Sequence, residues 1–139
     1  DLSHTLISAV LIKFGLSYAI QDLCEKSSNS SILLKSDSKN IERFNQNFEI
    51  KIFNIINELV NNILKHSKAK NGTIKLEQLN GNLQIIVFDN GIGFNIHDKR
   101  KGIGLKNMES RAKKLNGIIK VNSLKNNGTT IFVKCPIQK

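Results

Sequence analysis

Three segments of the chain carry apolar residues at helical spacing. The first covers residues 2–25 and is interrupted near Gly15, so the pattern predicts a helix with a break. The second covers residues 48–67, and we expect Asn47 to cap it through its side-chain oxygen. The third covers residues 105–115. The apolar stripe of the second helix is the most regular of the three and consists of Ile52, Ile56, Leu59 and Ile63.

Alternating apolar and polar residues predict strands elsewhere in the chain. Residues 73–79 and 83–88 flank Asn80-Gly81, a strong signal for a two-residue hairpin turn. The same alternation predicts two short strands, at residues 32–35 and 41–44. It also predicts a second hairpin, formed by residues 118–123 and 129–135. This order of elements predicts an α/β fold, a two-layer sandwich with helices on one face of a mixed, largely antiparallel sheet.

Composition and charge narrow the possible classes of protein. The length of 139 residues fits one domain, and a hydrophobic content of 40% with a single Pro argues against disorder. No apolar stretch approaches the ~18 residues that span a membrane. Cys24 and Cys135 lack metal-type spacing, so we expect both to be reduced and cytosolic. The net charge is +10, which suits a polyanionic partner but also an ordinary lysine-rich surface.

The long helix of residues 48–67 carries a polar row beside its apolar stripe. At ~100° per residue, Glu58, Asn62 and Lys65 lie within an arc of ~60°. Glu58 can orient or deprotonate a nucleophile. The Asn62 amide oxygen is a hard ligand suited to Mg²⁺, and Lys65 can meet a phosphate. An ordinary solvated helix face with an i,i+4 polar pair stays open as an alternative.

A second candidate site follows the strand at residues 83–88, where the sequence reads Asp89-Asn90-Gly91-Ile92-Gly93-Phe94. A carboxylate at the end of a buried strand can accept a hydrogen bond from an exocyclic amine such as that of adenine. Gly91 and Gly93 would let a flat ring approach the backbone. The hydroxyl of Thr129, at the start of the last strand, can form a second hydrogen bond to the base beside that of Asp89, directly or through water. A plain Asp-Asn-Gly turn is the alternative.

Gly102 and Gly104 precede the third predicted helix, in Gly102-Ile103-Gly104-Leu105. Free N–H groups and the positive end of a helix dipole make such a turn a natural phosphate cradle. The turn is not the dinucleotide fingerprint, which needs a third glycine or an alanine where Asn107 stands. The chain also lacks a P-loop and the catalytic-loop signature of protein kinases.

These motifs together resemble the Bergerat-fold ATP-binding domain shared by sensor histidine kinases and gyrase, over residues 48–137. Residues 57–66 are similar to the Asn box of that family, and residues 89–94 and 101–105 are similar to its two glycine boxes. Residues 57–66, together with Gly104-Leu105-Lys106-Asn107-Met108-Glu109-Ser110-Arg111, are similar in particular to the kinases that partner NarL-type response regulators.

The resemblance implies a role for each candidate residue. Asp89 would bind the adenine amine, with Gly91 and Gly93 below the ring. Asn62 would hold Mg²⁺, and Glu58 would prepare the attacking nucleophile. Residues 95–101 would form a mobile lid over ATP. The other implied ATP-binding residues are Asn62, Lys65, His66, Gly102, Gly104, Leu105 and Thr129.

The resemblance also implies how the chain is divided and what it works with. Residues 1–25 would be the C-terminal end of a dimerisation helix with its linker, and residues 26–139 the catalytic domain. The acceptor motif of the family, a His followed by an acidic residue, is absent, because Thr5 follows His4. The phosphate would therefore pass to a His on a dimerisation domain outside this chain, in a homodimer of the full-length protein, and then to a response regulator.

The expected location is cytoplasmic, as a domain of a sensor that can be membrane-anchored, with no nucleic-acid partner. Three alternatives stay open on sequence alone. The first is another Bergerat-fold enzyme, such as an anti-sigma-factor serine kinase or an ATPase. The second is a basic nucleic-acid-binding module, which the low aromatic content of 6% disfavours. The third is a docking domain that has lost nucleotide binding.

Overall fold

The computed structural model describes residues 8–39, 41–94 and 99–139, and of residues 99–104 it describes the backbone alone. The α-helices in these ranges are α1 (Ala9–Phe14), α2 (Leu16–Ser27), α3 (Gln46–Asn62) and α4 (Lys99–Lys114). One turn of π-helix, Ile63–Ser67, continues α3. The helix predicted over residues 2–25 is broken at Gly15, as expected. His4 lies outside the described residues.

The strands form one five-stranded sheet in the order β1-β2-β3-β5-β4. Only the pair formed by β1 and β2 is parallel, and the other neighbours are antiparallel. The sheet is therefore mixed and largely antiparallel, and the predicted fold class is confirmed. The bounds of the strands are β1 Leu33–Lys39, β2 Asn71–Leu79, β3 Asn82–Asp89, β4 Ile118–Ser123 and β5 Thr129–Pro136.

The hydrophobic core lies between the helices and one face of the sheet. Alternate strand residues are buried, as Leu83, Ile85 and Val87 on β3 show, because successive side chains point to opposite faces. The helix α3 buries Phe48 and Ile52 completely against this face. Each such side chain contributes about 1.5–3 kcal/mol by leaving water. Residues of α1, α2 and α4, and Leu115 directly after α4, belong to the same core: Leu11, Leu16, Ala19, Ile20, Cys24, Met108, Ala112 and Leu115.

A polar contact fastens the break between α1 and α2 to the start of α3. The Arg43 guanidinium forms a fork with the Glu49 carboxylate, at 3.1 and 3.2 Å, and also donates to the carbonyls of Ile12 and Lys13 at the end of α1. Glu49 is 1% exposed, so its charge is paired inside the protein. Gly15 has a φ of +92°, and a Cβ there would lie 2.6 Å from Arg43 Cδ.

Three local predictions are wrong. Residues 41–44 form no strand, because their backbone N–H groups bond to side chains: Glu42 N to Gln78 Oε1 and Phe44 N to Glu49 Oε2. The N-cap of α3 is Asn45 rather than Asn47, since the Asn45 side chain accepts from the N–H groups of residues 47 and 48. The helix predicted to start at residue 105 starts at Lys99.

The described part of the chain contains no helix that is long and apolar enough to cross a membrane. Cys24 and Cys135 are both free and buried. Burial raises the pKa of each thiol to about 11, so both are protonated and poorly reactive at neutral pH.

Candidate functional site

A cavity of about 250 Å³ lies between the C-terminal end of α3, the strands β3 and β5, and the loop that follows β3. Its apolar lining consists of Leu59, Ile63, Val87, Phe94, Leu105 and Ile131. Its polar lining consists of Asn62, His66, Ser67, Asp89 and Thr129, with Gly93 beside them. An apolar cavity with a few convergent polar groups is the usual form of a small-molecule site.

Asp89 ends β3 and lines this cavity while being 5% exposed. Its Oδ1 accepts a hydrogen bond of 2.8 Å from the N–H of Gly91. Burial raises the pKa of Asp89 above its ordinary value of 3.8, and the Gly91 hydrogen bond acts in the opposite direction. No described residue donates to Oδ2, so this oxygen is free to accept a hydrogen bond from a ligand.

The loop after β3 packs tightly at its two glycines. A Cβ at Gly91 would lie 2.7 Å from the Cβ of Ser67, and a Cβ at Gly93 would lie 2.8 Å from the carbonyl oxygen of Gly128. The N–H of Ile92 donates to the Ser67 carbonyl at 2.7 Å. Gly93 also has a positive φ of +62°. Both glycines are therefore needed for the loop to pack against neighbouring protein atoms. The sequence analysis had explained them only by the approach of a flat ring to the backbone.

Thr129 stands opposite Asp89 in the register of β3 and β5 and is 8% exposed. Its Oγ1 lies 2.7 Å from Ser123 Oγ. Ser123 Oγ also lies 3.1 Å from the Gly128 carbonyl oxygen and accepts the N–H of Phe94 at 2.9 Å. Either hydroxyl can donate in this pair, and in both cases Thr129 Oγ1 keeps a lone pair that can accept a hydrogen bond from a ligand.

The end of α3 reaches the cavity through the π-turn Ile63–Ser67. Turns of this kind widen the helix locally and occur often at functional sites. Ser67 Oγ donates to the Ile63 carbonyl at 2.7 Å and accepts the N–H of Ala69 at 3.0 Å, which closes the turn. Asn62 and His66 both line the cavity from this end.

A second depression, of about 600 Å³, lies between α3 and α4, and we call it the α3–α4 groove. The predicted row of Glu58, Asn62 and Lys65 lines this groove, and Asn62 lines the cavity as well. Glu58 and Lys65 do not line the cavity that contains Asp89. Glu58 Oε1 lies 3.4 Å from Arg111 Nη2, in an ion pair that the sequence analysis did not anticipate.

The second glycine pair lies inside α4, since that helix begins at Lys99. The sequence predicted that Gly102 and Gly104 form a turn before this helix. That prediction is wrong, because both glycines belong to the helix. Glycine costs only about 1 kcal/mol in a helix interior, so it does not by itself end one. The N–H groups left free by a helix are its first four, here those of residues 99–102. Residues 95–98 of the predicted lid lie outside the described residues, and Leu105 lines the cavity.

Sequence reasoning missed Ser67, Ser123 and Arg111. Ser123 had a readable signal, because the predicted hairpin sets it opposite Thr129. Arg111 had none, since the pairing of α3 with α4 depends on how both helices pack on the sheet. The contact of Ser67 with the loop after β3 depends likewise on tertiary structure.

The fold and the cavity together are those of a nucleotide-binding domain. Residues 47–139 match the family described as histidine kinase-, DNA gyrase B-, and HSP90-like ATPases. The match covers about two thirds of the chain, so the chain belongs to this family. The resemblance predicted from the sequence is confirmed, and ATP is the ligand that the family binds.

Curated relatives are sensor kinases. The chain is 35% identical over 97 residues to the signal transduction histidine-protein kinase/phosphatase DegS of Brevibacillus brevis, and 39% identical over 87 residues to the sensor histidine kinase LiaS of Bacillus subtilis. These matches cover 69% and 62% of this chain but 25% and 24% of the relatives. The chain therefore spans about a quarter of the length of the curated relatives that it matches.

A solved structure shares the fold. The histidine kinase domain of the Erythrobacter litoralis EL346 blue-light activated histidine kinase superposes with a TM-score of 0.66 at 16% identity. The superposition covers 84% of this chain and 56% of that one. At this level of identity, the likeness supports the architecture alone.

Proposed function

We propose that this chain is the ATP-binding catalytic domain of a two-component sensor histidine kinase. In this proposal it transfers the γ-phosphate of ATP to a His on a dimerisation domain outside the chain, for relay to a response regulator. The observation that carries the proposal is Asp89, a buried carboxylate with a free acceptor oxygen in an apolar cavity. The family match and the sensor kinases among the relatives support it.

Asp89 and Thr129 supply the recognition of the base. Asp89 Oδ2 accepts one N–H of the adenine amine, while the Gly91 N–H holds Oδ1 and so fixes the carboxylate. Thr129 Oγ1 is the second acceptor, directly or through water. Two acceptors suit an amine and disfavour a base with a carbonyl at the same position. The ring would lie against the apolar lining of the cavity.

Mg²⁺ fits Asn62 as a partner that arrives with the nucleotide. Among the described residues, no group of three or more His, Cys, Asp or Glu side chains can hold a metal ion. Asn62 offers a single amide oxygen at the rim shared by the cavity and the α3–α4 groove. Mg²⁺ commonly takes one or two protein oxygens and completes its shell with water and phosphate oxygens. The ion would neutralise phosphate charge in this position.

Phosphates that extend from the cavity past Asn62 would enter the α3–α4 groove. Lys65 and His66 lie at this end of α3 and would meet them. Gly102 and Gly104, in the first turns of α4, would approach the phosphates from the other side, as the hinge of the lid and a cradle for the phosphates. Glu58 would prepare the acceptor nucleophile, once its ion pair with Arg111 has opened.

We propose that the parent protein is a homodimer with a cytoplasmic catalytic domain, as part of a membrane-anchored sensor. The sensor kinases among the relatives support this organisation. The division into residues 1–25 and 26–139 stays a prediction. We propose no nucleic-acid partner, and the net charge of +10 is assigned to the recognition of phosphates and acidic protein surfaces.

The proposal is tested by supplying the chain with the dimerisation domain of the parent protein and γ-labelled ATP. We expect acid-labile phosphohistidine on that domain, and none when its acceptor His is replaced by Gln. Label on Ser, or phosphate release without transfer, would assign the chain to another enzyme of the family. DNA binding that survives Asp89→Asn, with no ATP binding, would assign it to a nucleic-acid-binding module.

The metal role of Asn62 is tested by Asn62→Ala and Asn62→Asp. We expect both to weaken Mg²⁺-dependent turnover more than the binding of the base. ADP affinity measured in EDTA reports the base, and should change less than about twofold, because Asn62 lies at the rim rather than beside Asp89. A large loss in EDTA would show that Asn62 acts on the base instead.

A further inference from the structure

The α3–α4 groove carries more positive charge than its own acidic residue balances. Among the described side chains, four cations line it, Lys51, Lys65, Arg111 and Lys114, against one carboxylate, Glu58. Glu58 is already paired with Arg111. No described residue forms an ion pair with any of the three lysines. The described lining of the groove therefore has a net charge of +3 and would attract an anionic partner.

Two of these cations lie beyond the reach of a bound nucleotide. Lys51 precedes Asn62 by eleven positions on α3, which is about 16 Å at 1.5 Å per residue. Lys114 follows Leu105 by nine positions on α4, which is about 14 Å. Of the described side chains, α3 lines the cavity with Leu59 and Asn62 and α4 with Leu105, and Asn62 is the one that also lines the groove. Lys51 and Lys114 thus mark the distal end of the groove.

The floor between these cations is apolar. Phe53, Ile55 and Leu115 line the groove, and Ile55 and Leu115 are each 2% exposed. The side chains of Asn54 and Asn57 add amides along the wall formed by α3. A trough between two helices, with an apolar floor and a charged rim, suits the packing of a third, amphipathic helix.

We propose that the α3–α4 groove is the docking site for an amphipathic helix of the phosphate-accepting partner, and that Lys51 and Lys114 bind acidic side chains on this helix. The identity of the partner as phosphate acceptor rests on the proposed function. Charge complementarity selects an acidic helix, and the shared residue Asn62 places that helix next to the emerging phosphates. Docking there would bring the acceptor group and Glu58 together in one groove.

The test uses the double variant K51E/K114E and the matched control K35E/K120E. The control makes the same change of charge at exposed lysines of β1 and β4, on the face of the sheet away from the helices. The probe is the dimerisation domain of the parent protein, fluorescein-labelled, with its acceptor His replaced by Gln so that only binding is measured. Anisotropy is recorded at low and at high salt, and ADP affinity is measured for each variant.

We expect the groove variant to bind the probe at least about tenfold more weakly at low salt and the control to change less than about twofold. ADP affinity should be equal in all three proteins. An equal loss in both variants would show a general effect of charge and overturn the proposal, as would unchanged binding by the groove variant. Tighter binding of a 20-nucleotide single-stranded DNA, lost in the groove variant alone, would assign the groove to nucleic acid instead.

The two proposals fail separately. If the unaltered chain binds the probe through the groove but transfers no phosphate to the intact domain, the proposed function is wrong and the docking site stands. If phosphate is transferred equally well by K51E/K114E at limiting concentrations of the domain, the docking site is wrong and the function stands.

Discussion

Thr129 and Ser123 share a hydrogen bond between their hydroxyl groups, with 2.7 Å between the oxygens, beside the turn that joins β4 to β5. Ser123 Oγ also lies 3.1 Å from the Gly128 carbonyl oxygen, and either hydroxyl can supply the shared proton. Thr129 and Asp89 are paired across β5 and β3, and both line the cavity with an oxygen that can accept a hydrogen bond. The base preference of the site follows from this arrangement as much as from the carboxylate.

Mutation can separate the structural role of the Ser123 hydroxyl from the binding role of the Thr129 hydroxyl. Ser123→Ala leaves the Phe94 N–H without its acceptor, which costs about 1–3 kcal/mol of unfolding free energy. Thr129→Val removes the acceptor for the base, and we expect adenosine affinity to fall about tenfold with a smaller loss of stability. Urea unfolding and titration calorimetry check both variants. If Thr129→Val left adenosine affinity unchanged, the role of Thr129 as an acceptor for the base would be wrong.

Asp89→Asn should abolish ATP binding, because the amide replaces the anionic acceptor that faces the adenine amine. We expect a loss of at least about 100-fold, the scale of a hydrogen bond to a charged group. ATP affinity by titration calorimetry is the measurement, and Asp37→Asn on exposed β1 is the control. Unchanged affinity would refute the role of Asp89.

The same substitution should not lower the stability of the empty domain. Burial raises the pKa of Asp89 in the folded state above its unfolded value. The stabilising contribution of such a group is present below the unfolded pKa and is lost as pH rises through the folded pKa. The neutral amide of Asp89→Asn does not ionise, so the variant avoids this loss of folding stability at neutral pH. We therefore expect an equal or higher midpoint of thermal unfolding. A lower midpoint would show that the carboxylate is held by contacts stronger than the Gly91 hydrogen bond.

Base binding should weaken on acidification, beginning at a higher pH than an ordinary Asp with a pKa of 3.8 would allow. Protonation turns the carboxylate into a poorer acceptor and occurs early because burial disfavours the charged form. Adenosine is the appropriate ligand, since it has no phosphates that titrate in the same range. Calorimetry from pH 7 downwards checks this, and the control Asp37→Asn should show the same transition as the unaltered chain. Affinity that stays flat down to pH 4 would contradict the raised pKa.

Gly15→Ala should destabilise the domain far more than Gly81→Ala. Both glycines have positive φ, at +92° and +79°. A Cβ at Gly15 would strike Arg43 Cδ at 2.6 Å, whereas a Cβ at Gly81 would meet nothing within 4 Å. We expect about 1–2 kcal/mol for Gly81→Ala from backbone strain alone, and more for Gly15→Ala because Arg43 must move. Urea unfolding of both variants decides, and equal losses would show that Arg43 adapts without cost.

Much of the fold could be predicted because its signals are local. The hairpin at Asn80-Gly81 and the stripe of Ile52, Ile56, Leu59 and Ile63 depend on residues close in sequence. The predicted start of α4 was wrong because a glycine weakens a helix without ending it. The strand at residues 41–44 was wrong because the side chains of Glu49 and Gln78 take the N–H groups that a strand would have used.

The site was predicted in part for the same reason. Asp89, Asn62 and Thr129 could be chosen from local motifs, and all three line one cavity. The division of Glu58 and Lys65 into a separate groove could not be predicted, since it depends on where α4 packs. The pairing of Glu58 with Arg111 also joins residues 53 positions apart in the chain.

The hydrogen bonds around Asn90 bear on how the protein ages chemically. Asparagine followed by glycine tends to deamidate, because the glycine nitrogen attacks the side-chain amide. In Asn90-Gly91 that nitrogen is engaged by Asp89, and the Asn90 amide oxygen accepts from the N–H groups of Lys70 and Asn71. The exposed Asn80-Gly81 turn should deamidate sooner, so stored protein would acquire a new negative charge at its hairpin tip while the base-recognition loop keeps its chemistry.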